Sequence, residues 1–397
     1  MRLRAAIDHP LSAARECDVL RGAMRNGAAP PGIRPRLAAL LNQLDAFDEC
    51  IAVLRAAPEH LLSHDELLML ATAYLARKQD SDAGQALTAA MAAETLAQSD
   101  AERALAMVKR ARALRQLQRD AAATAVLHEA LAFDPANFEA FDLLTIDLLK
   151  QGEDNAALAI IDLLRARGVD HTQLLANRVR ALTSLGEHDA ARALLGLETF
   201  LHQEIIATPS GWDSLEAFNA ALAAELLANP ARRYERHGTA SVQSWRIDSL
   251  TAGEGPLARL LVGALIAAVQ RQVEAQADVD HPWIAAAPRD AEVHSWCVIT
   301  EGSGYERWHL HPFGWMSGVY YVDVPPEVSS GTTQDGCLII GVADNLVSSQ
   351  AAEQVGFHQV RPRSGLLALF PSHCYHRTFA HQAEGKRICV AFDIRPG

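Results

Sequence analysis

The stretch WHLHPFGWMSGVYYVDV, residues 308–324, decides how the second half of the chain folds. From Met316 onward, aromatic and β-branched residues dominate, a composition that suits a pleated, half-buried strand. His309 and His311 stand two positions apart just ahead of it. In an extended segment, side chains at i and i+2 share a face, so both imidazoles reach a single point; on a helix they would diverge. Imidazole nitrogen is a common ligand for iron, zinc and copper. The pair reads as half of a metal site.

Working outward, HSWCVITE (294–301), GVYYVDV (318–324), GCLIIGV (336–342), GLLALF (365–370) and RICVAFDI (387–394) are short apolar runs separated by Gly, Pro and Ser. Their number and spacing predict a C-terminal double-stranded β-helix, or jelly roll. A third metal ligand should come from a distant strand. His376, in LLALFPSHCYHRTF (366–379), ends a strand-like run after a Pro-marked bend, and His373 is its rival. Eleven residues beyond His376, alternation sets Arg387, Cys389 and Ala391 on one face and Ile388, Val390 and Phe392 on the other. An arginine among small residues has room to grip a carboxylate with both arms of its fork. His294, His358 and His381 read as structural, and Trp296, Trp308 and Trp315 as core or pocket wall.

The first half has a different texture. LDAFDECIAVL (44–54), KQDSDAGQAL (78–87), LQRDAAATAVL (117–127), QGEDNAALAII (151–161) and LGEHDAARALL (185–195) superimpose. The turn positions are Asp45, Gln79, Gln118, Gly152 and Gly186, and a small residue follows five positions later: Cys50, Gly84, Ala123, Ala157 and Ala191. A helix–turn–helix period of about 34 residues is the signature of tetratricopeptide repeats. One helix pair cannot bury its own apolar face, so pairs stack, and small residues let the helices approach closely. An α-solenoid is predicted over 1–200. Residues 201–245, with TPSGWDS and clustered arginines, read as a linker and domain entry, and 246–397 as the jelly roll; PLARLLVGALIAAVQRQVEAQA (256–277) is one amphipathic helix.

With 397 residues, the chain is long enough for two or three domains. Its formal charge of −12 argues against a nucleic-acid surface. Six cysteines without a CxxC pair read as reduced, buried thiols, which points to the cytoplasm. The N-terminal segment has arginines but no continuous apolar stretch, so no signal peptide is expected, and no run approaches the roughly 18 apolar residues of a membrane helix.

The set His309-Leu310-His311, His376 and Arg387 resembles the 2-oxoglutarate- and iron(II)-dependent oxygenases, whose pattern is His-x-Asp/Glu, a distal His, and Arg or Lys about ten residues on. HPFGWMSGVYYV and GLLALFPSHCYH look like a bacterial branch related to prolyl hydroxylases. The resemblance implies Fe(II) as metal, 2-oxoglutarate as cosubstrate and O₂ as oxidant. It makes His309 and His376 ligands and gives Arg387 the distal carboxylate of 2-oxoglutarate. The family often has a Ser two residues after the Arg; here Cys389 stands there, and Tyr305 or Thr378 could supply a hydroxyl instead. His311 occupies the position of the family carboxylate, as a third ligand or as a group that orients water or substrate. Hydroxylation of a side chain of a protein or peptide, prolyl in the nearest relatives, with the repeats recruiting the substrate, is the implied activity. Two other readings stay open. One is a non-enzymatic scaffold with a degenerate barrel; the other is a three-histidine dioxygenase of cupin type that does not use 2-oxoglutarate. The substrate and the oligomeric state are not legible.

Overall fold

The computed structural model describes all residues except 7–10, 26–31 and 252–254, and the side chain of Glu59. The chain forms two compact units. One comprises residues 11–151 and 162–169; the other holds the N-terminal strand, residues 152–161 and residues 170–397.

The first unit is helical. After the strand β1 (Arg2–Ala5) come α1 (Ala13–Arg25), α2 (Ile33–Gln43), α3 (Phe47–Arg55), α4 (His64–Arg77), α5 (Asp82–Leu96), α6 (Asp100–Gln116), α7 (Asp120–Phe133) and α8 (Phe138–Lys150). The tight turns between paired helices need one residue in the left-handed region, and Asp45, Lys78, Gln118, Gly152 and Gly186 adopt positive φ. Four of these are the turn positions read from the sequence. In the second repeat the turn residue is Lys78, not Gln79, and α5 starts four residues later instead of two. The longer turn is held by Asp82, fully buried, which accepts from Arg77 and from the Gln79 amide. The extra length shifts the buried small residue from the exposed Gly84 to Ala86. Cys50, Ala123, Ala157 and Ala191 are fully buried. The segment DPANFEAF (134–141) opens a repeat helix, where the Asn137 side chain caps α8 by accepting from the Ala140 amide.

Helix α9 (Asp154–Ala166) is followed by α10 (Thr172–Ser184), α11 (His188–Leu195) and α12 (Leu197–Phe200). Next come β2 (His202–Ile205), α13 (Leu215–Ala228), β3 (Arg233–Tyr234), β4 (Ser241–Ile247), α14 (Pro256–Gln276) and α15 (Pro282–Ala285). The remaining strands are β5 (Asp290–Glu306), β6 (Met316–Asp323), β7 (Leu338–Gly341), β8 (Phe357–Val360), β9 (Leu366–Pro371), β10 (Tyr375–Thr378) and β11 (Lys386–Pro396), with α16 (Pro326–Ser330) after β6 and α17 (Ser349–Val355) after β7.

The strands form two sheets. The larger runs β2-β9-β6-β11-β5-β4-β3, antiparallel throughout, with β1 added to β5 in parallel. The smaller is β10-β7-β8. Every residue of β7 and β9 is buried, as their continuous apolar sequences require of central strands. In the SGVYY run only glycine fits at 318, because a Cβ there would overlap the Phe392 ring on the neighbouring β11. All six cysteines are buried and free. No helix among the described residues is long and apolar enough to cross a membrane.

The segment expected as a linker, 201–245, instead supplies sheet and packing. β2 pairs with β9, β4 pairs with β5, and Phe218 and Leu222 of α13 lie in the core of this unit. The fifth repeat also departs from expectation. Leu175, Val179, Leu194 and Leu195 of α10 and α11 belong to the same core as β9 and β11. Arg180 donates to the Leu346 carbonyl, and Arg192 donates to Gln354 and Val355. The indoles of Trp283 and Trp315 stack at 4.5 Å and each donates to the other's carbonyl.

His373 is consumed in this packing. Its Nε2 donates to the Leu194 carbonyl at 3.0 Å, and burial pushes its pKa down to about 4. An unfolded imidazole titrates near 6.5, so between about pH 6.5 and pH 4 the unfolded chain takes up a proton that the folded one refuses. Stability from this residue is therefore full above about pH 6.5 and falls with acidification, by about 2 kcal/mol at pH 5. Urea unfolding at pH 7 and pH 5 should show a smaller pH-dependent loss in His373→Gln than in the wild type.

Candidate active site

His309 and His311 lie in the connection between β5 and β6, not within a strand. An isolated antiparallel bridge fixes the first of them: the His309 amide donates to the His376 carbonyl at 2.9 Å and the His376 amide returns the bond at 2.8 Å. Residues paired in this way carry side chains on the same face. Two segments 67 positions apart thus bring their imidazoles to one spot, with ring centroids 4.1 Å apart for His309–His376, 4.8 Å for His311–His376 and 5.3 Å for His309–His311. Their ligand-capable nitrogens all lie within 4.8 Å of one another.

The hydrogen bonds decide which nitrogens are available. His309 Nδ1 lies 2.7 Å from the Arg307 carbonyl and His376 Nδ1 lies 3.2 Å from the Cys374 carbonyl. A carbonyl only accepts, so each Nδ1 carries the hydrogen and each Nε2 keeps its lone pair. His311 Nδ1 donates to the Asp393 carboxylate, which also accepts from Ser317 at 3.3 Å and from Arg395 at 3.1 Å. Burial acts to raise the Asp393 carboxyl, but His311 and Arg395 outweigh it and hold the pKa below the usual range. Burial, then the neighbouring His311, pushes His309 down to about 3, and burial sends His376 well below its ordinary value. Near neutral pH His309 and His376 present Nε2 lone pairs, and together with His311 they form a donor set that suits a transition metal. Imidazole rings are held against aromatic walls, with Trp296 edge-on to His311 at 5.1 Å and Phe370 edge-on to His376 at 4.9 Å.

The histidines open into a cavity of about 380 Å³ lined by both sheets. Arg387, 2 % exposed, lines it too. Its Nη1 donates to the Gly336 carbonyl at 2.7 Å and its Nη2 to Thr378 Oγ1 at 3.2 Å, while Nε has no partner. No carboxylate among the described residues pairs with it. A buried guanidinium without a counter-charge is costly and fits a bound anion.

Thr378 and Cys389 line the same cavity, and burial pushes the Cys389 thiol up to about 11. Tyr305 does not line it; Trp296, Val298 and Glu306 share one parity along β5, which leaves Tyr305 on the other face. The sequence reading also missed Tyr321, which lies near Arg387, and Asp393. The face assigned to Arg387, Cys389 and Ala391 continues to Asp393 and Arg395, and extending the same alternation by two steps would have found both. His373 and His381 spend their rings on the carbonyls of Leu194 and Thr300. Trp308 donates to Asp344 and Trp315 packs in the core, leaving Trp296 in the cavity wall.

Comparison with known proteins agrees with this chemistry. Residues 294–393 match the family model described as "Putative 2OG-Fe(II) oxygenase". That segment is a 2OG-Fe(II) oxygenase domain. The oxygenase domain works with Fe(II), 2-oxoglutarate and O₂, and the helix pairs before it follow the helix–turn–helix period read from the sequence. No curated protein matches the chain. Among solved structures, the chain is similar to a Pseudomonas putida prolyl-4-hydroxylase, with 18 % identity over 52 % of this chain and 98 % of that one and a TM-score of 0.34. HygX from Streptomyces hygroscopicus, solved with nickel and 2-oxoglutarate, is 14 % identical over 50 % of this chain and 84 % of that one, with a TM-score of 0.34. A tetratricopeptide repeat protein from Parabacteroides merdae is 15 % identical over 54 % and 80 %, with a TM-score of 0.38. The oxygenase domain contains all three histidines, Arg387 and Asp393 within the matched residues.

Proposed function

We propose that the oxygenase domain hydroxylates a side chain of a protein or peptide, with His309, His311 and His376 holding Fe(II) through Nε2 and Arg387 holding the distal carboxylate of 2-oxoglutarate. The observation that carries this reading is the buried, uncompensated Arg387 guanidinium in the same cavity as three converging imidazoles. A degenerate barrel would have no reason to keep that charge. A three-histidine dioxygenase without 2-oxoglutarate would have no use for it.

Bound iron supplies the oxidising chemistry. In balance, 2-oxoglutarate, O₂ and a substrate C–H become succinate, CO₂ and C–OH. The chain's own residues bind and orient. Thr378 Oγ1 accepts from Arg387 and from the Glu306 amide, so its hydroxyl hydrogen is left to turn toward a carboxylate. Tyr321, whose phenol is raised by burial, keeps its proton and can donate as well. The apolar surfaces of Leu338, Phe370 and Trp296 exclude water. The repeats recruit the substrate in this reading, which is supported by the use of stacked helix pairs as partner-binding surfaces.

His311 stands where most relatives have a carboxylate, and Asp393 behind it returns a negative charge one bond further out. A carboxylate that accepts from a metal-bound histidine fixes its tautomer and raises its basicity, and its loss lowers metal affinity about 10–100-fold. Asp393→Asn should weaken Fe(II) or Co(II) binding by that factor in calorimetry.

The test of the whole reading is an anaerobic titration of the protein with Fe(II) and 2-oxoglutarate, watched for the weak visible charge-transfer band. The band should appear in the wild type and be absent in His309→Ala. A wild type with no band and no succinate formation with any peptide would return the scaffold reading.

A further inference from the structure

The cavity has a second cationic wall, away from Arg387. Arg246 on β4 lies over Trp296, its guanidinium carbon 4.7 Å from the indole centroid, and Trp296 is in turn 5.1 Å from the His311 ring. Arg246 Nε donates to Asp248 Oδ1 at 2.8 Å. Its two Nη groups have no partner among the described residues, and the side chain lines the cavity. The guanidinium is thus fixed on one edge by a carboxylate and on one face by an indole, in a side chain that lines the cavity.

The local charge does not cancel. Asp248 is shared by three arginines, with Arg233 at 2.5 Å, Arg236 at 3.2 Å and Arg246 at 2.8 Å. Arg236 also lines the cavity. On the other side of His311, Arg395 lines it as well, with one bond to Asp393 and its Nε unpartnered. Two carboxylates face four guanidiniums in the lining, and one of them, Asp393, is taken up by His311. The other, Glu306, lies within electrostatic reach of both Arg246 and Arg387, and two carboxylates still leave two of the four lining guanidiniums uncancelled. Once Arg387 has received the cosubstrate, the lining still carries an excess of positive charge beside the histidines.

From this wall we infer that the substrate carries a carboxylate and that Arg246 receives it. The inference rests on the hydroxylase reading above and narrows its substrate class. An arginine fork binds a carboxylate through two parallel hydrogen bonds, and its stacking on Trp296 fixes the plane in which they form. A carboxylate docked there leaves the adjoining carbons of the substrate over the His311 side of the metal site. In a peptide, the group is the side chain of Asp or Glu or a free C-terminus.

The experiment uses the full chain with Fe(II) and 2-oxoglutarate and four peptide pools of equal length. One is Asp/Glu-rich and amidated, one neutral with a free C-terminus, one neutral and amidated, and one Lys/Arg-rich and amidated. Binding is read as perturbation of the anaerobic charge-transfer band, and turnover as succinate formed above the peptide-free rate. At least one carboxylate pool should perturb the band and raise turnover, and which of the first two does so identifies the source of the group. Arg246→Gln should raise the KM for that pool at least tenfold with the 2-oxoglutarate Kd unchanged. Arg246→Lys, which keeps the charge and loses the fork, should fall between and guards against a folding defect in the glutamine variant. Response to the neutral amidated or basic pool alone, or to none, overturns the inference. So does an Arg246→Gln protein whose 2-oxoglutarate Kd rises as it does in Arg387→Gln, since Arg246 would then serve the cosubstrate. A wild type that shows no band with Fe(II) and 2-oxoglutarate fails at the earlier step, and the two failures are thereby distinguished.

Discussion

Arg387→Gln is expected to lose 2-oxoglutarate while keeping its metal. The side chain is buried, donates to Gly336 and Thr378, and has no counter-ion among the described residues. Removing one member of a buried, hydrogen-bonded charge pair costs about 2–5 kcal/mol, on the order of thirty- to several thousandfold in Kd. Metal affinity should stay within a fewfold of wild type, because no imidazole contacts Arg387. The same change removes an unpaired buried charge from the ligand-free protein, so its thermal midpoint without 2-oxoglutarate should equal or exceed that of the wild type. A variant that binds 2-oxoglutarate normally would take Arg387 out of the cosubstrate site, and a wild type that binds metal but no 2-oxoglutarate would move the case to the three-histidine dioxygenase.

His376→Ala should abolish specific metal binding. Three imidazoles are few enough that losing one leaves only a pair, His309 and His311, in a connection anchored by the backbone bridge to residue 376. That bridge uses only main-chain atoms, so the alanine keeps the fold while losing the ligand. Metal added at about a hundred times its Kd should stabilise the wild type by about 2.7 kcal/mol. This metal-dependent rise in thermal midpoint should vanish in His376→Ala, together with the visible band.

The site was legible where local geometry alone carries the information. Two histidines at i and i+2 in an extended segment must share a face, and an arginine on an apolar strand must bury its charge for a reason. The choice of His376 over His373 rested on a bend and a spacing, and the structure gives each ring a different neighbour. Tyr305 failed because it stands one residue out of step with Trp296, Val298 and Glu306, and alternation counted from Trp296 would have pointed to Glu306 instead. Gln79 failed by one residue because the second repeat has a longer turn, stabilised by the buried Asp82. The greatest loss was β4. SVQSWRI, flanked by arginines, reads as polar connection because its partners on β5 and the carboxylate of Asp248 that absorbs those arginines are set by tertiary contact.

The position of the fifth helix pair bears on how this protein can be dissected. A fragment cut at residue 246, where the composition suggests a join, would drop β2, β3 and most of β4 and strip α10 and α11 from the hydrophobic core they share with the sheets. Such a piece would be expected to aggregate. The unit that holds the histidines takes in residues 170–397 together with β1 and residues 152–161, so the last helix pair belongs to its scaffold and no single cut ahead of it leaves the unit whole.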